Sequence, residues 1–174
     1  MTWQKAAWTV VLGGAALIVL DAPAWADRVS GVITTTYVIV EDTELNGDVV
    51  CNVGSNPCFS FGAAGTQLKL NGYTITGKGD PVTGCGGVVF AREFGIATNG
   101  MSNVQVRGPG LIQRFRNHGV NVTGSTGVRV ENLTVSTNCG SGIFVAASSF
   151  GTIVQDNLAV RNGASTPGLA CGGI

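Results

Sequence analysis

The sequence predicts an all-β solenoid of short parallel strands, and three observations carry that expectation. Apolar and polar residues alternate over short runs such as "QLKL" and "VRVE", which is the period of a strand and not of a helix. The runs recur: "GVRVENLTVSTNCGSGIFV", Gly127 to Val145, is echoed by "GTIVQDNLAVRNG", Gly151 to Gly163, and further back by "VQVRGPGLI" and "LKLNGYTI". Glycine is also abundant, 27 of 174 residues, while only 11% of residues are charged. A repeat of roughly two dozen residues is the mark of a solenoid, in which each repeat buries its apolar face only against its neighbours.

Aligning the repeats on a tight turn puts Gly72, Gly108, Asn132 and Asn157 in one column, with Val128 over Ile153 and Val135 over Val160. A further strand precedes each core strand, at Phe59–Phe61, Ile96–Thr98, Val120–Val122 and Ile143–Val145. One repeat therefore reads strand, turn, strand, tight turn, strand, loop, and three strands per coil give a prism with parallel sheets for faces. The expected interior columns are Leu68, Leu70, Ile75, Val104, Val106, Leu111, Val128, Val130, Val135, Ile153 and Val160. Asn132 and Asn157 are expected to stack their amides as a ladder at the turn, where Asn tolerates a left-handed backbone.

These motifs, above all "LKLNGYTITGKG" and "GVNVTGSTGVRVENLTVSTNCGSGIFV", resemble the right-handed parallel β-helix repeats of the pectin-lyase-like superfamily. The resemblance covers roughly Asp48 to the C-terminus. It implies the right hand of the winding, in line with the preference of parallel crossovers. It speaks less to function, because that scaffold carries lyases, hydrolases, binding modules and adhesins.

The N-terminus reads differently. Lys5, an apolar run from Ala6 to Leu20 and the small-x-small triplet Ala24-Trp25-Ala26 describe a secretory signal over residues 1–26. The apolar run, about 15 residues, is shorter than the ~20 that span a bilayer. Cleavage removes one base, Lys5, and one acid, Asp21, so a net charge of zero is kept. That balance offers no electrostatic case for nucleic acid or an anionic membrane surface. Residues 27–47, with "VITTTYVIVED" and the acidic Glu41, Asp42 and Glu44, are read as an N-terminal β cap and a solvated loop. Residues 48–174 are then the β-helix domain. It stops at "CGGI" without a polar cap, so its last coil is expected to be open or truncated and a possible surface for self-association.

An exported chain can form disulfides, and five cysteines leave one over. Cys51 and Cys58 bracket the turn-rich "NVGSNP", and Cys139 and Cys171 occupy matching places on adjacent coils. Those two pairs are the expected bridges, with Cys85 unpaired. No ligand spacing supports a metal site, and no cofactor is implied.

In proteins of the resembled fold, the working face is formed by the first strand of each coil and the loops before it. Here that face would present Ala97, Asn121 and Phe144, with Arg92, Arg114, Phe115, Arg116, His118, Asn138, Arg161 and Asn162 from loops. Amides and guanidinium groups bond hydroxyls and carboxylates, so Arg92, Arg114, Arg116, Asn121 and Phe144 are candidates for binding a polysaccharide or cell-surface glycan. Catalysis is less well served. Glycoside hydrolysis needs two carboxyl groups about 5 to 9.5 Å apart, and the one expected pair, Glu131 and Asp156 in a column with Arg107, sits on another edge as a salt-bridged stack. His118, the only histidine, is an acid–base candidate or a surface loop residue. Arg114 and Arg116 are lyase candidates by analogy alone. Asn121 and Asn132 head Asn-x-Thr sequons, of which Asn132 is expected to be occupied by its ladder. The expected function is an exported module that binds glycan without turnover; the alternatives are part of a polysaccharide lyase or glycoside hydrolase with catalytic coils outside the chain, and a structural stalk.

Overall fold

The computed structural model describes residues 26–79, 85, 92–163 and 173–174. The expected leader up to residue 25 and Cys171 lie outside this set. No helix occurs among the described residues. The strands are β1 (Asp27–Ile33), β2 (Tyr37–Ile39), β3 (Thr43–Cys51), β4 (Phe59–Phe61), β5 (Gln67–Lys69), β6 (Thr74–Thr76), β7 (Ile96–Ala97) and β8 (Gln105–Arg107). They continue as β9 (Leu111–Gln113), β10 (Val120–Val122), β11 (Arg129–Glu131), β12 (Thr134–Ser136), β13 (Ile143–Val145), β14 (Ile153–Gln155) and β15 (Leu158–Val160).

All the strand pairings among the described residues are parallel. From β4 onward each strand pairs with the strand three places later. Two curled sheets result, one ordered β14-β11-β8-β5-β3-β6-β9-β12-β15 with β1 on β3, the other β13-β10-β7-β4-β2. The first bends at β3, whose nine residues serve β5 through Thr43 and Glu44 and β6 through Val49 and Val50. The chain is thus solenoid-like. Residues 27–47 contain β1, β2 and the start of β3, paired in parallel with the sheets that follow.

Strand parity decides what is inside. In the longer sheet the middle residue of each short strand points inward, so Leu68, Ile75, Val106, Ile112, Val130 and Val135 are fully buried. In the shorter sheet the flanking residues Phe59, Phe61, Val120 and Val122 fill the core and Ser60, Ala97 and Asn121 sit between them on the other face. Each large apolar side chain taken out of water contributes about 1.5–3 kcal/mol. Phe115, expected on a loop surface, is fully buried in the same core.

The last repeat departs from the expected register by one residue. Val130 pairs with Val154 and Val135 with Ala159, leaving Ile153 at 42% and Val160 at 38% exposure. Leu111 likewise yields its inward place to Ile112. A slip of one position turns every side chain of a strand to its other face. The reason lies at the corners. Asn132 and Asp156 both hold positive φ, at 57° and 56°, as do Arg114, Thr137 and Arg161 at 60°, 53° and 56°. Because such a backbone costs a non-glycine residue about 1–3 kcal/mol, corners stack on like corners and set the step. Asn157 therefore stands over Leu133 and not over Asn132. Its Nδ2 donates to the Val130 carbonyl at 2.9 Å, and its Oδ1 accepts from the Leu133 N–H at 3.0 Å. Asn132 is exposed and takes no part in a ladder with Asn157.

An amide ladder does exist one corner away. Asn138, fully buried, accepts from the Phe115 N–H at 3.0 Å and donates through Nδ2 to Asn162 Oδ1 at 2.9 Å. Asn162 in turn donates to the Val135 carbonyl at 2.9 Å. These bonds satisfy polar groups that would otherwise be buried unpaired.

Corners also limit side-chain size. A Cβ added at Gly108 would collide with the Asn132 carbonyl oxygen, which belongs to rigid backbone. Gly108→Ala should destabilise the protein by about 1–3 kcal/mol in a denaturant melt; an unchanged midpoint would contradict the close stacking of these two corners.

Candidate functional site

The outward residues of the shorter sheet stand in one register: Ser60 beside Ala97, Ala97 beside Asn121, Asn121 beside Phe144. They floor a cleft of about 700 Å³. One wall comes from the loops that enter β4, β7 and β10 and carries Asn56, Pro57, Arg92, Phe94, Asn117 and His118; the other comes from the turns leaving β7 and β10, with Asn99, Gly100 and Thr123.

A ring stack organises the first wall. Phe94 stands two residues before β7 and His118 two residues before β10, so the parallel register brings them together with centroids 5.7 Å apart and planes 7° from parallel. Phe144 covers the other face of His118 at 4.5 Å and 6°. His118 Nδ1 accepts from the Ser141 N–H at 2.9 Å. Burial pushes the imidazole down to about 4, because the charged form loses its water. Gly140 is needed beside it: a Cβ there would lie 2.8 Å from His118 Nδ1 and 3.0 Å from the Asn117 backbone.

Behind this wall Glu93, only 3% exposed, forms an ion pair with Arg116 Nε. Arg116 Nη2 also reaches the Gly54 carbonyl at 3.3 Å. Arg116 thereby ties the loop holding Asn56 and Pro57 to the segment holding Arg92 and Phe94. Burial raises Glu93 above the usual carboxylate range, and the guanidinium partly opposes that rise. Sequence reasoning missed Glu93; its one signal was an acidic residue at the same distance before β7 that Asn117 keeps before β10.

The other expected residues divide. Arg92, His118, Asn121 and Phe144 line the cleft together with Ala97. Arg116 braces it from behind. Arg114 sits at a corner, its Nε donating to the Gly79 carbonyl at 3.0 Å, and Arg161 occupies the same column beyond Thr137; neither lines the cleft. Asn138 and Asn162 form the amide ladder and Phe115 the core.

Glu131 and Asp156 are not side by side. The register puts Gln155 against Glu131, with its Nε2 donating to Glu131 Oε2 at 3.2 Å. Glu131 pairs with Arg107 at 2.7 Å and Arg129 at 3.6 Å on the outside of the longer sheet. The one-residue slip that misplaced Ile153 misplaced Asp156 too. In the acidic segment, Glu44 pairs with Arg28 at 2.8 Å and Asp42 accepts from Gln67 Nε2 at 2.6 Å.

Two disulfides are present among the described residues. Cys51–Cys58 closes the loop that supplies Asn56 and Pro57, with Cα atoms 5.7 Å apart. Cys139 is joined to Cys85 across 5.6 Å between Cα atoms, which corrects the expected Cys139–Cys171 bridge and the unpaired Cys85. Cys85 belongs to the long connection between β6 and β7, not to a strand, so counting strand spacings could not place it. Among the described residues no three His, Cys, Asp or Glu side chains gather as metal ligands would, and no helix is long and apolar enough to cross a membrane.

No protein-family model, curated protein or solved structure matches this chain.

Two outcomes follow from the site. Peptide mapping without reduction should recover Cys51 linked to Cys58 and Cys85 linked to Cys139; a Cys139–Cys171 peptide would overturn the second link. An unfolded His118 titrates at 6.5 and the folded one at about 4, so between these values the unfolded state binds more protons and stability falls as pH drops. Glu93 acts in the opposite sense, its raised native affinity for a proton costing stability as pH rises above 4.5. Denaturant melts of His118→Phe should therefore lose less stability than the parent between pH 6.5 and 4; parallel curves would refute the assignment to His118.

Proposed function

We propose that this chain is a secreted, right-handed parallel β-helix of three strands per coil, akin to the pectin-lyase-like superfamily, and that its cleft binds a polysaccharide or cell-surface glycan. The solenoid reading draws on the pairing of each strand with the one three places later. Two disulfides suit an oxidising compartment.

The observation that carries the binding reading is the cleft's lining. Asn56, Asn99, Asn117 and Asn121, with Ser60 and Thr123, offer paired donors and acceptors, and Arg92 adds a fork for hydroxyl or carboxylate oxygens. Phe94 and Phe144 supply apolar surface beside them. A concave site with convergent polar groups on apolar walls is the usual form of a small-ligand site. The floor runs across four strands, ~14 Å at the ordinary strand spacing, so an extended chain laid along the solenoid axis would meet several of these groups at once. Glu93, next to Arg92 and Phe94 of the wall, is engaged by Arg116 behind it.

Calorimetric titration with cellohexaose, xylohexaose and hexagalacturonate tests the proposal. At least one should bind, and Asn121→Ala should weaken it about tenfold, the scale of one or two lost hydrogen bonds. Arg92→Ala should affect the acidic oligosaccharide most. Binding to none of the three argues against the glycan reading, whereas new reducing ends or unsaturated products would shift the assignment to a hydrolase or lyase.

A further inference from the structure

Resting on the reading that the cleft takes a ligand, we propose that His118 is its specificity-determining residue: a fixed, uncharged donor whose Nε2–H meets a neutral acceptor oxygen, a hydroxyl or ring oxygen of the bound molecule. Three constraints on the ring lead there. The first is rotational. Phe94 and Phe144 cover its two faces, with planes 7° and 6° from parallel, so only the ring edge remains for polar contact.

The second is the tautomer. A backbone N–H can only donate, so Nδ1, which lies 2.9 Å from the Ser141 nitrogen, must be the acceptor. A neutral imidazole carries one proton, which is then on Nε2. The Ser141 N–H cannot rotate away, since it belongs to the loop that leads into β13, where Gly119 and Val120 donate to the Ser141 and Gly142 carbonyls at 3.1 and 2.9 Å.

The third is the surroundings. His118 lines the cleft, and among the described residues the only hydrogen bond of its side chain is the one at Nδ1, so Nε2–H is left for a ligand. Among the described residues, the charged groups on the neighbouring segments are Arg92 on the same wall and the Glu93–Arg116 pair behind it. None of them supplies a free carboxylate to hold an imidazolium. Taking up a second proton would also place it on Nδ1, against the Ser141 N–H. The ring is therefore poor as a general base and well set as a donor, which revises its standing as an acid–base candidate. A donor with no other partner discriminates strongly, because a ligand lacking the matching oxygen leaves it desolvated and unpaired.

The chain has one histidine, so its imidazole signals need no assignment by mutation. Long-range proton–nitrogen correlation spectra of the labelled protein from pH 3 to 8 should show a bare Nδ1 and a protonated Nε2 down to about pH 4. The opposite tautomer, or a titration near 6.5, would overturn the proposal. Binding supplies the second readout. His118→Phe keeps the ring stack and deletes the donor, together with the Nδ1 acceptor of the Ser141 N–H; with its melting temperature retained, it should bind cellohexaose or xylohexaose at least tenfold more weakly, while the parent's affinity stays level from pH 5 to 8. If the variant binds as the parent does, the donor role falls and the glycan cleft stands. If hexagalacturonate is the ligand and tightens on acidification toward pH 5, the neutral-oxygen assignment falls. If the parent binds none of the three, the cleft reading fails and carries this inference with it.

Discussion

Successive repeats hydrogen-bond in parallel, with Val106 on Val130 on Val154 and Ile75 on Ile112 on Val135, and a strand displaced by one residue would turn these columns out into solvent. The geometry of the cleft hangs on that alignment. The same ladder that buries the aliphatic columns sets Ser60, Ala97, Asn121 and Phe144 in a line on the outer face. It also stacks Phe94 on His118. A cleft built this way has its spacing dictated by backbone hydrogen bonds, so its polar groups arrive preorganised.

Register is held chiefly at the corners. Hydrophobic residues are interchangeable along a column, since a Val accepts a Val, an Ile or an Ala above it. A left-handed backbone is not interchangeable with an extended one, and the positive-φ residues Arg114, Thr137 and Arg161 follow one another at one corner as Asn132 and Asp156 do at another. The Asn138–Asn162 ladder adds directional bonds beside the first of these. Directional polar contacts inside an apolar core specify one stacking, because any other leaves an amide unpaired.

The cleft wall uses a second device, a buried ion pair. Glu93 and Arg116 bring a desolvation cost that their attraction only partly offsets, and their value lies in position. One guanidinium joins the segment of Arg92 and Phe94 to the disulfide-closed loop of Asn56 and Pro57. Loops from different repeats are held to one wall where strand pairing does not reach.

The all-β, parallel, solenoid-like character, the short strands and the shorter sheet's outward line through Ala97, Asn121 and Phe144 were legible in the amino-acid order. Period-two alternation and a recurring turn are local signals, and local signals survive without coordinates. Arg92 and His118 were legible as loop residues before those strands. Tertiary structure decided the one-residue register of the last repeat, and with it the exposure of Ile153 and the separation of Glu131 from Asp156, because φ at a corner is not written in hydrophobicity. It decided the Cys85–Cys139 link, which runs through a long connection that no periodicity measures. It decided that Arg116 faces inward to Glu93, and that His118 lies between two rings with its Nδ1 engaged by Ser141. Those are contacts between segments some two dozen residues apart, and only the stacking of one repeat on the next brings them within bonding distance.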